Sequence, residues 1–268
     1  MKTRYKIILA KIIYKILKIF ISKIRYVKRN NIKWKLDLSE GIDLSIFMFG
    51  TSEKKIYNLK KIFKKNSKLI FLDIGANIGS VSLPLARIFD NSYVYSIEPT
   101  SYAFRKLKTN FSLNPSLSKK VFLTQAFISN NKKPKKVWSS WKLNEKNNQH
   151  KDHKGKLKSI QKASTITLSN FIKKNKIQKV DFIKLDVDGY ELDVLKSGKD
   201  FLKKNKPIIF IEIAPYLYKE FGYSYIDLID YILDLGYNFY NEDLKKIYNI
   251  KNITKKINHG TSKNFYLL

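Results

Sequence analysis

Two glycines and two acids have types and spacing suited to binding a small molecule. The apolar run at Phe71 leads into Asp73, Gly75 and Gly79, and a helical pattern follows. Glycine lets the chain turn sharply and lets a ligand approach the backbone, and the first N–H groups of the helix point into the same space. Glu98 follows Asp73 by 25 positions, close to the roughly 20-residue offset of a βαβ unit. Its carboxylate can accept both hydroxyls of a ribose, so these residues predict a pocket at the carboxyl end of a sheet's first strand.

Asn77 distinguishes two kinds of cofactor that this loop could hold. A dinucleotide fingerprint, G-x-G-x-x-G, has a glycine at that position so that a pyrophosphate can approach the backbone. The pattern D-x-G-x-N-x-G of residues 73–79 instead resembles the cofactor loop of class I S-adenosylmethionine-dependent methyltransferases. That resemblance implies a ligand with a sulfonium cation, which suits a carboxylate such as Asp73. The alternative interpretation is an ordinary tight turn, with Glu98 as a charge at a helix N-terminus.

A second group of acids follows another apolar segment. Residues 181–191 read D-F-I-K-L-D-V-D-G-Y-E, and the next predicted strand ends at Glu212. The carboxyl ends of parallel strands face one crevice, so we expect Asp186, Asp188 and Glu212 beside the glycine loop. A carboxylate there can orient or deprotonate an acceptor hydroxyl. Asp186 is the first candidate for this base, with Asp188 or Glu212 assisting, and a role for Asp186 as a cofactor ligand is equally open.

Metal binding is the less favoured hypothesis for these acids. Carboxylates suit Mg²⁺, but no spacing in the sequence requires an ion, and we predict no metal site. The three histidines are weak candidates for a base or a metal ligand: His150, His153 and His259.

Composition limits the classes of protein that fit. The chain has 268 residues, of which 44% are hydrophobic, enough for a large core and against general disorder. It has no cysteine, so disulfides and thiolate chemistry are excluded and a cytoplasmic location is expected. The net charge of +31 normally indicates nucleic acid or an anionic surface. Lysine far outnumbers arginine, however, and arginine reads bases and phosphates better, so nucleic acid is not the expected partner.

The first thirty residues form a separate basic segment. They hold ten Lys or Arg and no acid, and the longest uncharged run is four residues, 7–10. A spanning helix needs about 20 apolar residues and a signal peptide at least about 7. We expect a basic amphipathic helix over residues 1–32 that lies on an anionic inner membrane surface; packing on the main domain is the alternative. The predicted polar face of this helix comprises Lys11, Lys15, Lys18, Ser22, Arg25 and Arg29.

The elements that would position the site alternate between strand and helix over residues 68–268. Residues 33–67 are predicted to connect this domain to the N-terminal helix through a short hairpin. An inserted loop at about 130–160 breaks the alternation, and its Trp138 and Trp141 could pin the loop to the core or form a substrate lid. The predicted strands cover residues 69–74, 93–97, 121–127, 180–187, 207–213, 237–240 and 264–268, and the longer helices 102–111 and 225–235.

Four motifs in this order resemble the FkbM family of S-adenosylmethionine-dependent methyltransferases. They are I-E-P-x-x-x-x-F-x-x-L-x-x-N at residues 97–110, T-L-S-N-F-I at 167–172, K-x-D-V-D-G-Y-E at 184–191 and E-I-x-P at 212–215. The resemblance covers about residues 68–268. It implies a doubly wound α/β fold of the class I methyltransferase (Rossmann-like) type, with a mostly parallel seven-stranded sheet and an antiparallel edge strand.

The resemblance also implies a cofactor and an activity. The cofactor is S-adenosyl-L-methionine, and the reaction is transfer of a methyl group to a hydroxyl, often on a sugar or polyketide. Asp186 and Asp188 are implied to lie beside the methyl group. The implied cofactor loop and ribose acid are Asp73, Gly75, Asn77, Gly79 and Glu98.

The leading expectation is an O-methyltransferase for a glycan, a lipid-linked sugar or a related metabolite. Nucleic-acid methylation is an alternative that the charge suggests, but methylation of base amino groups typically uses an Asn/Asp-Pro-Pro-aromatic loop where residues 186–189 read D-V-D-G. A third hypothesis is a non-catalytic scaffold at the membrane surface, against which the intact acids Asp73, Glu98 and Asp186 argue.

Overall fold

The protein is built around a seven-stranded sheet. The computed structural model describes residues 3–130, 134, 136–138, 143, 155–250, 257 and 260–268. Within these residues the strands are β1 (Ile24–Arg29), β2 (Ile32–Asp37), β3 (Leu69–Ile74), β4 (Ser92–Ile97), β5 (Val121–Thr124), β6 (Ala126–Ile128), β7 (Lys136–Val137), β8 (Lys158–Ser159), β9 (Ser164–Ile166), β10 (Phe182–Leu185), β11 (Ile208–Ile213), β12 (Phe239–Tyr240) and β13 (Lys263–Leu267).

Local signals fix where several helices begin. Thr100 and Thr167 each accept a hydrogen bond from a backbone N–H of the following first turn, and Ser224 forms a capping box with Asp227. These caps satisfy N–H groups that the helix itself leaves free. The described helices are α1 (Thr3–Phe20), α2 (Gly41–Phe49), α3 (Ser82–Ile88), α4 (Ser101–Ser112), α5 (Pro115–Ser118), α6 (Leu168–Lys174), α7 (Glu191–Ser197), α8 (Lys199–Asn205) and α9 (Tyr225–Asp234), with 3₁₀ turns at Lys54–Lys61 and Tyr218–Phe221.

The strand order confirms a doubly wound, mostly parallel sheet. The order is β12-β13-β11-β10-β3-β4-β5, and β5, β4, β3, β10 and β11 run parallel. β13 pairs antiparallel with β11 and β12, so the antiparallel strand lies one place inside the edge. The chain winds outward from β3 through β4 and β5 and then returns to β10 on the other side. Ligands of such sheets bind at the carboxyl ends of the strands beside this change of direction.

Apolar side chains alternate between the two faces of the sheet and build a core on each. On one face Leu72 and Ile183 pack with α6, α7 and α9. On the other, Phe71 lies edge-on to Phe89 and Phe182, with ring centroids 5.4 and 5.9 Å apart, and this second core extends into β2 and α2. Because successive side chains of a strand point to opposite faces of the sheet, both faces are apolar and both are buried.

The predicted helix over residues 1–32 is too long. The structure ends α1 at Phe20 and forms the β1–β2 hairpin from residue 24 onward. The cause is the pair Asn30 and Asn31, whose φ values of 51° and 60° make the two-residue turn that favours asparagine. Arg25 and Arg29 consequently lie on β1 and not on a helix face. No described helix is long and apolar enough to cross a membrane.

The predicted strand over residues 121–127 is two strands. β5 stays in the central sheet, whereas β6 pairs parallel with β9 in a separate ribbon. The break falls at Gln125, whose amide donates to Ser101 Oγ at 2.9 Å. β7 and β8 pair antiparallel within the insertion. Trp141 and the three histidines named above lie outside the described residues.

Residues 33–67 are part of the folded core and not merely a connection. Trp34 and Leu36 of β2 are fully buried. Asn110 of α4 ties this region to the loop after β3, since its amide accepts from Lys35 N at 2.8 Å and donates to the Ile78 carbonyl at 3.1 Å. The last residue of the 97–110 motif therefore has a structural role.

We expect Asn110→Ala to lower the free energy of unfolding by about 1–3 kcal/mol, because it leaves a backbone N–H and a carbonyl unsatisfied in a buried region. Urea denaturation measures this. Lys108→Ala, an exposed change on the same helix, is the control and should cost much less. Equal losses in the two variants would show that the Asn110 bonds do not hold the N-terminal region in place.

Candidate functional site

The carboxyl ends of β3, β4, β10 and β11 surround one cavity of about 260 Å³. That volume lies near the lower end of small-molecule sites, which run from ~300 to 1,000 Å³. Six of the residues predicted from sequence line it, whereas Asp73 and Gly79 lie behind its wall. The six are Gly75, Asn77, Glu98, Asp186, Asp188 and Glu212.

Gly75 lets two loops meet at the floor of the cavity. Its φ is +85°, and a Cβ placed there would lie 1.9 Å from the Asp186 carbonyl oxygen. Its N–H and that of Ala76 both donate to the Ile97 carbonyl, at 2.9 and 3.0 Å. The loop after β3 is thus held across the end of β4 and pressed against the loop after β10, which a side chain would prevent.

Asp73 supports the glycine loop from below. It is fully buried and accepts from Ser82 Oγ at 2.5 Å, and Ser96 Oγ donates in turn to Ser82 Oγ. Its other carboxylate oxygen has no hydrogen-bond partner among the described residues. Burial raises the pKa of Asp73. Direct contact of this residue with a ligand stays a prediction, and its observed contact is with the first residue of α3.

Glu98 stands at the end of β4 in the cavity wall. One oxygen accepts from the Thr100 N–H at 2.8 Å and from its hydroxyl at 2.6 Å, and the other accepts from the Asn77 N–H at 3.0 Å. Burial raises the pKa of Glu98. These bonds fix the carboxylate between two loops, and because each carboxylate oxygen has two lone pairs, Oε2, which accepts one bond here, can also accept a ligand hydroxyl.

The acidic loop after β10 has an unusual backbone and is held by the buried side chain of Glu191. Asp188 has a φ of +50° and Gly189 one of +104°. Glu191 is buried and its two oxygens accept from the N–H groups of Val187 and Gly189, each at 3.1 Å. Tyr223 Oη donates to the Gly189 carbonyl at 2.8 Å. The loop that carries Asp186 and Asp188 is therefore held in place by its hydrogen bonds with Glu191 and Tyr223.

Lys184 is a buried cation that the sequence reasoning gave no role. Its ammonium group lies 2.8 Å from Asp186 Oδ2 and donates to the Gly75 carbonyl at 3.3 Å. Burial opposes the charge, but the carboxylates of Asp186 and Asp73 outweigh it and raise the pKa of Lys184. The ammonium group stays charged and holds the two loops together.

Three carboxylates converge on the cavity as predicted from the crevice argument. Asp186, Asp188 and Glu212 each offer one oxygen, and these oxygens lie within 4.8 Å of one another. Burial, reinforced by the charges of the two aspartates, raises the pKa of Glu212. Ser262 Oγ donates to Glu212, which also shares a hydrogen bond with Asp186. Like charges this close favour retention of one proton.

Two further residues of the cavity come from outside the sequence motifs. Glu53 lies in its wall, and Asn264 Nδ2 donates to its Oε2 at 3.0 Å. Burial raises the pKa of Glu53 to about 7. A single acid in a lysine-rich stretch is the one signal that could have found it. Trp138 both packs against the core and lines the cavity, and its role in a substrate lid stays a prediction.

Comparison with a family model identifies the family to which this chain belongs. The model of the methyltransferase FkbM domain matches residues 73–239, a span that holds both loops and all three convergent carboxylates. The chain belongs to the FkbM methyltransferase family. No curated protein matches the chain.

Three solved structures that resemble this FkbM protein are distant from it in sequence. An FkbM methyltransferase from Methylobacillus flagellatus KT is 16% identical with a TM-score of 0.48, over 79% of this chain and 46% of that one, so this chain spans less than half of that protein. The METTL16 methyltransferase domain is 13% identical with a TM-score of 0.46, over 88% and 72%. Magnesium protoporphyrin IX methyltransferase from Synechocystis PCC 6803, with bound SAM, is 12% identical with a TM-score of 0.43, over 79% and 74%.

The residues around the cavity fit S-adenosylmethionine. Glu98 offers acceptor oxygens for a ribose diol, and Asp186 and Asp188 offer negative charge to a sulfonium and an ammonium group. Asn77 has its side chain where a pyrophosphate would need an open backbone. The chemistry of this FkbM site therefore favours a cationic nucleoside over a dinucleotide.

Stability should depend on pH through Glu191. Burial raises its pKa to about 8, outweighing the hydrogen bonds from backbone N–H groups, which lower it. In the unfolded chain the group titrates near ~4.3, so the folded state binds the proton more tightly. The stabilisation is complete below that value and is lost as the pH rises toward 8.

We therefore expect the free energy of unfolding of the wild type to fall between pH 5 and pH 8 by more than that of Glu191→Gln. Urea denaturation at each pH measures the two slopes. Asp234→Asn, an exposed acid on α9, is the matched control and should follow the wild type. Parallel curves for the wild type and Glu191→Gln would contradict the claim that the raised pKa of Glu191 makes stability depend on pH.

Proposed function

We propose that this FkbM protein is an S-adenosylmethionine-dependent O-methyltransferase whose acceptor is a hydroxyl of a glycan, a lipid-linked sugar or a related metabolite. The observation that carries the proposal is the convergence of Asp186, Asp188 and Glu212 on the cavity that Gly75 and Glu98 also line. The crevice that would hold the cofactor and a set of proton acceptors thus share one space.

The acids divide into two roles in this proposal. S-adenosylmethionine, when bound, supplies an activated methyl group on sulfur. The protein then has to orient the acceptor hydroxyl in line with that group and remove its proton. Asp186, which lies 2.8 Å from the Lys184 ammonium group, accepts the proton. Glu212, with its raised pKa, retains its own proton and can donate a hydrogen bond to the acceptor, and Asp188 assists in orientation.

Polar hydroxyl acceptors suit the wall of the cavity better than nucleic acid does. Besides Glu98, four carboxyl groups line the space, from Glu53, Asp186, Asp188 and Glu212. They would repel the phosphates next to a target base, whereas sugar hydroxyls can donate to them. Trp138 supplies an aromatic surface at the same wall, on which the apolar face of a sugar can pack.

Binding of the methyl donor is the first test. We expect S-adenosylmethionine to bind the wild-type protein in calorimetry, and Glu98→Gln to weaken binding at least about tenfold, because a carboxylate that accepts ribose hydroxyls and fixes Asn77 is lost. Asp234→Asn is the control and should bind as the wild type does. A wild-type protein that binds no S-adenosylmethionine would refute the proposed function.

Transfer to an acceptor is the second test. With methyl-labelled S-adenosylmethionine and a cell extract, mass spectrometry should detect a product labelled on oxygen. Asp186→Asn should lower the rate by about 10²–10⁴-fold when the donor is saturating, the usual contribution of a general base. A label found on nitrogen of RNA or DNA, together with steep salt dependence of filter binding, would favour the nucleic-acid alternative instead.

A further inference from the structure

Helix α1 has one face packed against the protein. Tyr14 is buried, and Ala10, Ile13, Leu17 and Ile21 are partly buried against the core that contains β2 and α2. α1 also contacts α2 directly. The helix is therefore a fixed part of the fold. Because one face packs on the domain, the side chains on its other faces are directed to solvent.

A second face of α1 is apolar and exposed. Ile16 is 53% exposed, Ile19 72% and Phe20 78%. At 100° per residue, the centre of this row lies roughly 130° around the helix axis from the packed face. We call it the outer row. Its members are Ile8, Leu9, Ile12, Ile16, Ile19 and Phe20.

The elements that α1 adjoins also expose apolar side chains. α2 is capped by Gly50, which has a φ of +76° and donates its N–H to the Ile46 carbonyl, and Phe49 at the helix end is 72% exposed. Arg29 of β1 donates to the Phe47 carbonyl at 2.9 Å, so the hairpin is tied to the same end of α2. Tyr26 of that hairpin is exposed as well.

Positive charge borders the outer row along α1. Lys15 and Lys18 are exposed and occupy the third face of the helix, between the packed face and the outer row. Residues 1–36 contain no acid. A second copy of this chain placed on the outer row would bring two sets of lysines together without a compensating acid on α1, whereas an anionic surface would satisfy them.

We propose that the outer row of α1 docks in the plane of an anionic lipid bilayer, with Lys15 and Lys18 at the level of the headgroups. Amphipathic helices of this kind place their apolar face ~5–10 Å into the boundary between headgroups and acyl chains. Lysines near the surface add attraction to anionic lipids. The docked helix lies on the bilayer and does not cross it. The proposal does not depend on methyl transfer.

Vesicle sedimentation with the full chain tests the proposal. We expect strong binding to vesicles of phosphatidylcholine with phosphatidylglycerol, weaker binding to pure phosphatidylcholine, and a loss of at least about tenfold for Ile16→Gln/Phe20→Gln, since two exposed apolar side chains no longer enter the bilayer. Lys15→Gln/Lys18→Gln should weaken binding to the anionic vesicles alone, by about fivefold per lysine. Circular dichroism checks that each variant is folded.

Leu233→Gln/Tyr248→Gln is the matched control, because it removes two exposed apolar side chains that are not on α1. It should bind vesicles as the wild type does. No binding of the wild type to anionic vesicles, or equal binding by the Ile16/Phe20 variant, would overturn the proposal. A wild-type dimer in solution that the Ile16/Phe20 variant converts to a monomer, without vesicle binding, would assign the outer row to a second copy.

Discussion

The close contact of the Gly75 backbone with the Asp186 carbonyl is the constraint on which the site depends. β3 and β10 are neighbours in the sheet, and the Asp186 N–H continues their pairing by donating to the Ile74 carbonyl at 3.2 Å. Lys184 then joins the two loops from within, through the Asp186 carboxylate and the Gly75 carbonyl. The loop after β3 shapes the crevice for a nucleoside, and the loop after β10 supplies its acids. The distance between the two loops therefore sets the geometry of the crevice and of the acids in it.

Much of this arrangement could be predicted from sequence because it follows from strand order. The carboxyl ends of parallel strands lie at the crevice, which placed Glu98, Asp186 and Glu212 correctly. Asp73 was harder, because the same strand end can point a side chain into the crevice or beneath the loop, and here Ser82 receives it. Lys184 and Glu53 could not be assigned, because their contacts join segments more than 100 residues apart along the chain.

The structure of the N-terminal region could also be predicted only in part from sequence. The spacing of lysines on α1 correctly indicated a helix, but the helix stops at Phe20 and the following residues fold back as a hairpin. Amphipathic periodicity alone has no means of dividing the apolar residues into a face that packs and a face that stays exposed, since both are equally apolar. The division came from the position of β2 and α2 beneath the helix.

The central claim is that the crevice beyond β3 and β4 is shaped for a cationic nucleoside. A crystal structure of the protein with S-adenosylmethionine tests it most directly. The account predicts ribose hydroxyls at hydrogen-bond distance, ~2.5–3.0 Å, from the Glu98 carboxylate, with the sulfonium on the side of Asp186. Adenosine bound elsewhere, or an empty crevice at saturating ligand, would contradict it.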